Sequence, residues 1–156
     1  MIKIVEADDH HIPAIKKLWV EFLKYSADFH SIFDIRKGAE DHMEKKFLRP
    51  AMNDKKHRVL VAFEDKKAVA YAIARINEQL PIKKRIKTAV IEHLFVTKKS
   101  RRKGLGGQMY AEIFKWFKAQ GVNRVELQVI VKNEAACTFW RKQGYRDFEH
   151  TWERKI

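Results

Sequence analysis

Residues Lys98–Gly107 read KKSRRKGLGG, and the segments on either side of them decide the fold. Upstream, Ala89–Val96 (AVIEHLFV) is an apolar run of strand length within a longer candidate strand, Thr88–Val96. Downstream, Leu105, Met109, Ile113 and Phe117 recur at helical spacing, and Gly121 supplies a stop. Between them lie glycines flanked by Lys98, Lys99, Arg101, Arg102 and Lys103. Glycine lets the backbone approach a ligand closely, and the unpaired N–H groups that open a helix favour anions. A strand, a basic glycine turn and a helix therefore make a candidate phosphate cradle. The competing reading is an ordinary helix start with solvated charges.

Outward from this turn, the chain of 156 residues fits one domain, 1–156, with room for a sizeable core. A hydrophobic share of 46% beside 34% charged residues describes a globular chain and excludes a disordered one. No apolar run approaches the ~18 residues of a membrane span, so no membrane partner is expected. The opening MIKIVEADDH has acids and no apolar core, unlike a secretory signal, and a cytoplasmic setting is the expectation. Cys137 is the single cysteine, which excludes an internal disulfide and a cysteine-built zinc site; no metal is expected. The net charge of +13 suits an anionic partner or a role in solubility. Cations also gather at Lys45-Lys46, Lys55-Lys56 and Lys83-Lys84-Arg85, but only at the glycine turn do charge and backbone donors coincide.

The remaining periodicities give the order β, α, α, β, β, β, α, β, α, β. Ile2–Val5 opens as a strand, and Asp8 or Asp9 then caps a helix with Pro13 in its first turn and a stripe from Ile12 to Leu23. A second helix is expected over Arg36–Leu48, ending before Pro50. His57–Phe63 and Ala68–Ile76 read as a hairpin, followed by a basic loop containing Pro81. Val125, Leu127, Val129 and Val131 alternate as a strand, Asn133 starts a helix that Gly144 ends, and Tyr145–Lys155 is expected to close the sheet as one or two strands. The fold class is α/β (mixed α+β): a mostly antiparallel sheet with one parallel pair, flanked by about four helices. The crossover through the helix makes that pair parallel and puts the glycine turn at the carboxyl end of its first strand, where open sheets hold ligands.

Three segments resemble the GNAT superfamily of N-acetyltransferases, over essentially the whole chain. The stretch IEHLFVTKKSRRKGLGG is similar to the family's strand, its R/Q-x-x-G-x-G/A loop and its helix start. Asn133 to Tyr145 (NEAACTFWRKQGY) resembles the N-x-x-A-x-x-F-Y-x-x-x-G-F segment, and the N-terminal strand with Asp9, Ile12 and Leu18-Trp19 completes the match. The resemblance implies an acyl-CoA N-acyltransferase fold and acetyl-CoA as donor co-substrate. It carries the pyrophosphate contacts onto Arg101, Arg102, Lys103, Gly104, Leu105, Gly106 and Gly107, and the pantetheine contacts onto main-chain groups of Leu94, Phe95 and Val96. It also implies that this strand splays from the Val125–Val131 strand, leaving a slot for the arm. Asn133 matches a frequent cofactor contact, and it also reads as a helix N-cap.

Direct transfer requires a neutral amine, so a base must take a proton that alkylamines hold up to about pH 10. Glu92, a carboxylate inside an apolar strand, is the candidate base and matches a glutamate with that role in several relatives; a salt-bridged structural glutamate is the competing reading. His93 points to the opposite face if the strand is regular, and is the weaker rival. The amide of Leu94 is the candidate oxyanion donor. Trp140 stands where the family usually has the tyrosine that protonates the departing thiolate. Indole N–H donates a hydrogen bond but is far too weak an acid, so Trp140 is expected to orient the thiol while water or another hydroxyl, Tyr110 or Tyr145 among them, supplies the proton. Cys137 reads as a core thiol.

Two other functions compete with a transferase acting on a small-molecule, peptide or protein amine. One is a non-catalytic coenzyme A sensor, suggested by Trp140. The other is a basic nucleic-acid- or ribosome-binding protein, for which the chain carries no recognition motif. The acceptor loops are expected in Tyr25–Pro50 and Gln79–Lys87, with Asp28, Asp34, Glu40, Asp41 and Glu44 available to line an acceptor groove. A homodimer is common among relatives.

Overall fold

The computed structural model describes residues 1–77 and 86–156. Five strands form one sheet in chain order: β1 (Ile2–Glu6), β2 (His57–Glu64), β3 (Lys67–Ile76), β4 (Thr88–Val96) and β5 (Arg124–Leu127). Every neighbouring pair is antiparallel except β4 and β5, which are parallel. The β2–β3 hairpin turns through Asp65, held at φ 51°, and the amino terminus pairs with that carboxylate at 2.9 Å. The long basic loop with Pro81 and Lys83-Lys84-Arg85 lies outside the described residues.

Alternation along β3 explains the two layers that cover the sheet. Ala70, Ala72, Ala74 and Ile76 face α4 (Leu105–Ala119), whose Leu105, Met109, Ile113 and Phe117 are all buried. The small alanines allow that helix to sit close to the sheet. Tyr71 and Ile73 face the other way, against Ile12, Ile15 and Leu18 of α1 (Ile12–Ala27). Asp8 accepts from the amide of His10 and caps the turn that leads into α1, as expected from the sequence. α5 (Glu134–Lys142) packs on the α4 side through Trp140. Gly121 and Gly144, at φ 70° and 89°, follow α4 and α5, as the punctuation of the sequence required.

Three boundaries differ from expectation. The second helical region starts later and passes through Pro50. α2 (Ala39–Met43) continues into a π-helical turn (Glu44–Leu48) and then α3 (Arg49–Met52), with the amide of Arg49 reaching back to the carbonyl of Glu44. Widening the turn ahead of the proline moves the chain past a residue that has no amide to give. β5 is shorter than the Val125–Val131 alternation, ending its pairing at Ile91–Leu127. Residues 145–156 form no strand: Phe148 and Trp152 stand four positions apart among charges, so no period-two apolar face exists to pin a register. The rest of the expected architecture is present, and four helical bodies flank the sheet: α1, the Ala39–Met52 run, α4 and α5.

Candidate active site

The site begins where β4 outruns its partner. β5 pairs with β4 only from Thr88–Arg124 to Ile91–Leu127, so beyond Ile91 the far edge of β4 has no strand beside it among the described residues. Thr97 donates its amide to Val69 on β3. Alternation then turns the N–H groups of Leu94 and Val96 toward the open edge, and that of Phe95 toward β3, where it lies opposite Tyr71. The splay expected from the sequence is this opening.

At the carboxyl end of the same strand, the basic turn leads into α4. Arg102 stands at φ 60° and Gly104 at φ 80°, a conformation glycine adopts freely and other residues resist. The first bond of the helix runs from the amide of Gln108 to the carbonyl of Gly104, at 3.1 Å. Among the described residues the amides of Gly104, Leu105, Gly106 and Gly107 donate no hydrogen bond. Leu105 is 1% exposed and anchors the helix start in the core. Four unpaired donors at a helix amino terminus, with exposed Lys98, Lys99 and Arg102 nearby, fit a diphosphate. Lys103 is partly engaged, pairing with Glu64 at 3.0 Å, and Ser100 donates to the same carboxylate. Arg101 turns inward: its Nε donates to the carbonyl of Val96 at 2.9 Å, and its guanidinium lies 4.2 Å from the ring centre of Tyr25.

Glu92 owes its position to a bulge. Ile73 lies opposite His93 but Ala74 opposite Ile91, leaving Glu92 as an extra residue on β4. Ile91 stays in the α4-side core, whereas Glu92 reaches Arg75, which shares the α1 face with Tyr71 and Ile73. The regular-strand expectation, with Glu92 and His93 on opposite faces, is corrected by this insertion: both point to the α1 face. Nε of Arg75 donates to Oε1 of Glu92 at 2.6 Å. The side chain of Glu92 is 16% exposed, and its Oε2 is buried without a hydrogen-bond partner among the described residues. Arg75 also bonds Asn77, which donates to the hydroxyl of Thr88 at 2.8 Å, extending a polar chain along this face.

His93 packs among Phe22, Phe47 and Tyr71, with Nδ1 3.2 Å from the Tyr71 hydroxyl. Burial lowers its pKa to about 4. Packed among three rings and kept neutral by burial, His93 belongs to the core of this face.

Asn133 caps α5, its Oδ1 accepting from the amide of Ala136 at 3.1 Å and also from the hydroxyl of Tyr25 at 3.3 Å. Trp140 is 9% exposed and stacks edge-on against Tyr110, Phe139 and Tyr145, so its indole belongs to the core and not to the open edge of β4. Tyr110 donates to the Tyr145 hydroxyl at 3.4 Å, and burial, with Tyr110 second, pushes the Tyr145 phenol far up. Cys137 is half-buried and lies in neither core cluster, unlike the core thiol expected; among the described residues its sulfur makes long contacts to the carbonyls of Ile130 and Val131.

The acids expected to line an acceptor groove are spoken for in part. Asp41 and Glu44 both bind Lys16, at 2.6 and 2.7 Å, and Glu44 also holds Arg49. With Glu40 they border a separate groove between α1 and α2 whose lining includes neither Glu92 nor His93. Sequence reading missed Arg75 and Tyr25. Arg75 becomes visible only once the β3–β4 register is known, and Tyr25 only once α1 is laid across the end of β4. Among the described residues there is no cluster of ligating side chains suited to a metal ion, and no helix is long and apolar enough to cross a membrane.

The sequence model of the acetyltransferase (GNAT) family matches residues 18–145. Among solved structures, a tetramutant of the BH1408 protein from Bacillus halodurans is 25% identical, with a TM-score of 0.85 and 99% of each chain covered. The aminoglycoside N-acetyltransferase AAC(6')-Iy in complex with CoA is 15% identical, with a TM-score of 0.77, covering 100% of this chain and 95% of that one. The same enzyme in complex with the bisubstrate analogue CoA-S-monomethyl-acetylneamine is 16% identical, with a TM-score of 0.76 and coverage of 100% and 99%. These last two likenesses bear on the fold alone. Among curated proteins none matches the chain significantly.

Proposed function

The chain belongs to the acetyltransferase (GNAT) family, and from that premise we propose that it transfers an acetyl group from acetyl-CoA to a primary amine by direct attack, with Glu92 as general base. One coincidence carries the reading: at the carboxyl end of β4, an edge with no strand beside it among the described residues, its Val96 carbonyl held by Arg101, meets the unpaired amides that open α4. The amides of Gly104–Gly107 hold the pyrophosphate, and the pantetheine arm lies along Leu94 and Val96 as an added strand. The acceptor approaches on the α1 face, where Oε2 of Glu92 takes the proton that keeps the amine from attacking. Arg75 fixes the other carboxylate oxygen and so orients the free one. The nitrogen then forms its bond to the thioester carbon, and the amide of Leu94 donates to the developing oxyanion. Collapse breaks the carbon–sulfur bond and releases a thiolate, while the second proton on the new amide nitrogen passes to water. Trp140 is packed in the core and Tyr110 donates to Tyr145, so the proton for that sulfur comes from water or from another hydroxyl at the slot.

Thiol release in the presence of an amine panel (amino acids, peptide amino termini, polyamines, aminoglycosides) tests the proposal. Glu92→Gln is expected to lower kcat/KM about a hundredfold at pH 7, the usual scale of a lost general base, while affinity for coenzyme A stays the same. Equal rates for the variant and the parent across pH would remove Glu92 from the chemistry. The lack of a proton-donating tyrosine keeps the sensor reading alive: coenzyme A binding without thiol release from any amine would establish that function instead. Binding of an RNA oligomer with a steep salt slope, and none of coenzyme A, would favour the nucleic-acid reading.

A further inference from the structure

We propose that Tyr25, on α1, is a donor-binding residue that closes over the pantetheine arm. The inference rests on the proposed use of acetyl-CoA. Three segments border the slot: the end of β4, the stretch after β5 that ends at Asn133, and α1. Tyr25, on the last of these, reaches the other two. Its ring lies 6.5 Å from that of Phe95 on β4, and its hydroxyl reaches Asn133 on the far side at 3.3 Å. Arg101, anchored on the carbonyl of Val96, covers its ring at 4.2 Å. The Tyr25–Asn133 contact therefore spans the slot that the arm must enter.

That contact is built to be exchanged. A hydroxyl donor prefers an oxygen at 2.7–2.8 Å, so 3.3 Å is a weak bond. Oδ1 of Asn133 already caps α5 through Ala136, and it remains satisfied if the hydroxyl leaves. Nδ2 of Asn133 donates no hydrogen bond among the described residues. A secondary amide entering between the two offers a carbonyl that accepts from Tyr25 or from Nδ2, and pantetheine carries two such amides. A gap of 3.3 Å admits no amide, so the hydroxyl must swing off Asn133 as the arm enters, with Arg101 still stacked on the ring.

Calorimetry with two ligands isolates the role: coenzyme A, and adenosine 3′,5′-bisphosphate, which lacks the pantetheine arm. Tyr25→Phe keeps the ring and the stacking of Arg101 and deletes only the hydroxyl. Affinity for coenzyme A is expected to fall about five- to tenfold, the scale of one hydrogen bond, with the bisphosphate unchanged within about twofold. Unchanged affinity for coenzyme A, or equal weakening of both ligands, would overturn the assignment while leaving acetyl-CoA as donor. Parent protein that binds neither ligand would overturn the proposed function, and this residue's part in it.

Discussion

The register of one strand against the next decides the chemistry available to single residues. Glu92 stands in a run, Ile91-Glu92-His93, whose alternation puts neighbours on opposite faces; one extra residue on β4 puts Glu92 and His93 on the same face. Nothing in the letters marks a bulge, so the sequence could nominate Glu92 but could not supply Arg75 as its partner. His93 then becomes a stability element with a definite pH signature. Its folded pKa of about 4 lies below the unfolded value of 6.5, so in this window the unfolded chain binds the proton and the folded one does not. The contribution is complete above about pH 6.5 and declines as pH falls toward 4. Asp41 and Glu44, held down chiefly by hydrogen bonds from Lys16, and Glu64, held down chiefly by Lys103, begin to lose their contributions as pH falls through the ordinary carboxylate range and lose the rest below it. Urea midpoints at pH 7 and pH 5 therefore separate them. His93→Leu is expected to be less stable at pH 7, with a smaller drop between the two pH values than the parent shows. An identical drop in both proteins would mean that His93 is not the buried neutral group responsible.

At the scale of elements, the strand–turn–helix unit was legible because its signals are local. An apolar run, a basic glycine turn and a helical stripe each follow from neighbours in the chain, and the caps at Asn133, Gly121 and Gly144 likewise. What could not be read depends on distant partners: where β5 leaves β4, how the helix passes Pro50, and whether residues 145–156 find a strand to pair with. Gly104 links the local and the distant, since its left-handed conformation both starts α4 and aims the amides that follow. A Cβ there would meet nothing within 4 Å, so the cost of Gly104→Ala is that of the backbone alone, about 1 kcal/mol. The expected outcome is a slightly lower melting temperature and a disproportionate loss of affinity for adenosine 3′-phosphate 5′-diphosphate, which keeps the donor's diphosphate, because the helix start can relax by re-aiming its donors. Lost stability with unaltered affinity for that ligand would show that those amides do not bind the diphosphate.

Over the whole molecule, the charge of +13 bears on which amine can be acetylated. A positive field draws in the polyanionic donor and opposes a polycationic acceptor such as a polyamine or an aminoglycoside. Two of the five acids that might have offset this are committed, Asp41 to Lys16 and Glu44 to Lys16 and Arg49, and Glu92 likewise pairs with Arg75. A local anionic funnel for such an acceptor is therefore weak, and the global field prevails except where salt removes it, over a screening length of about 10 Å at 0.1 M and about 30 Å at 0.01 M. Raising ionic strength between those limits should weaken acetyl-CoA binding in every case. For a polycationic acceptor, KM should fall as repulsion is screened. For a monoamine that also bears a carboxylate, KM should stay level or rise. Steady-state KM for both acceptor types across that salt range, at saturating donor, reads this directly. A polycation whose KM climbs with salt would mean that acids concentrated at the acceptor mouth outweigh the thirteen excess positive charges elsewhere.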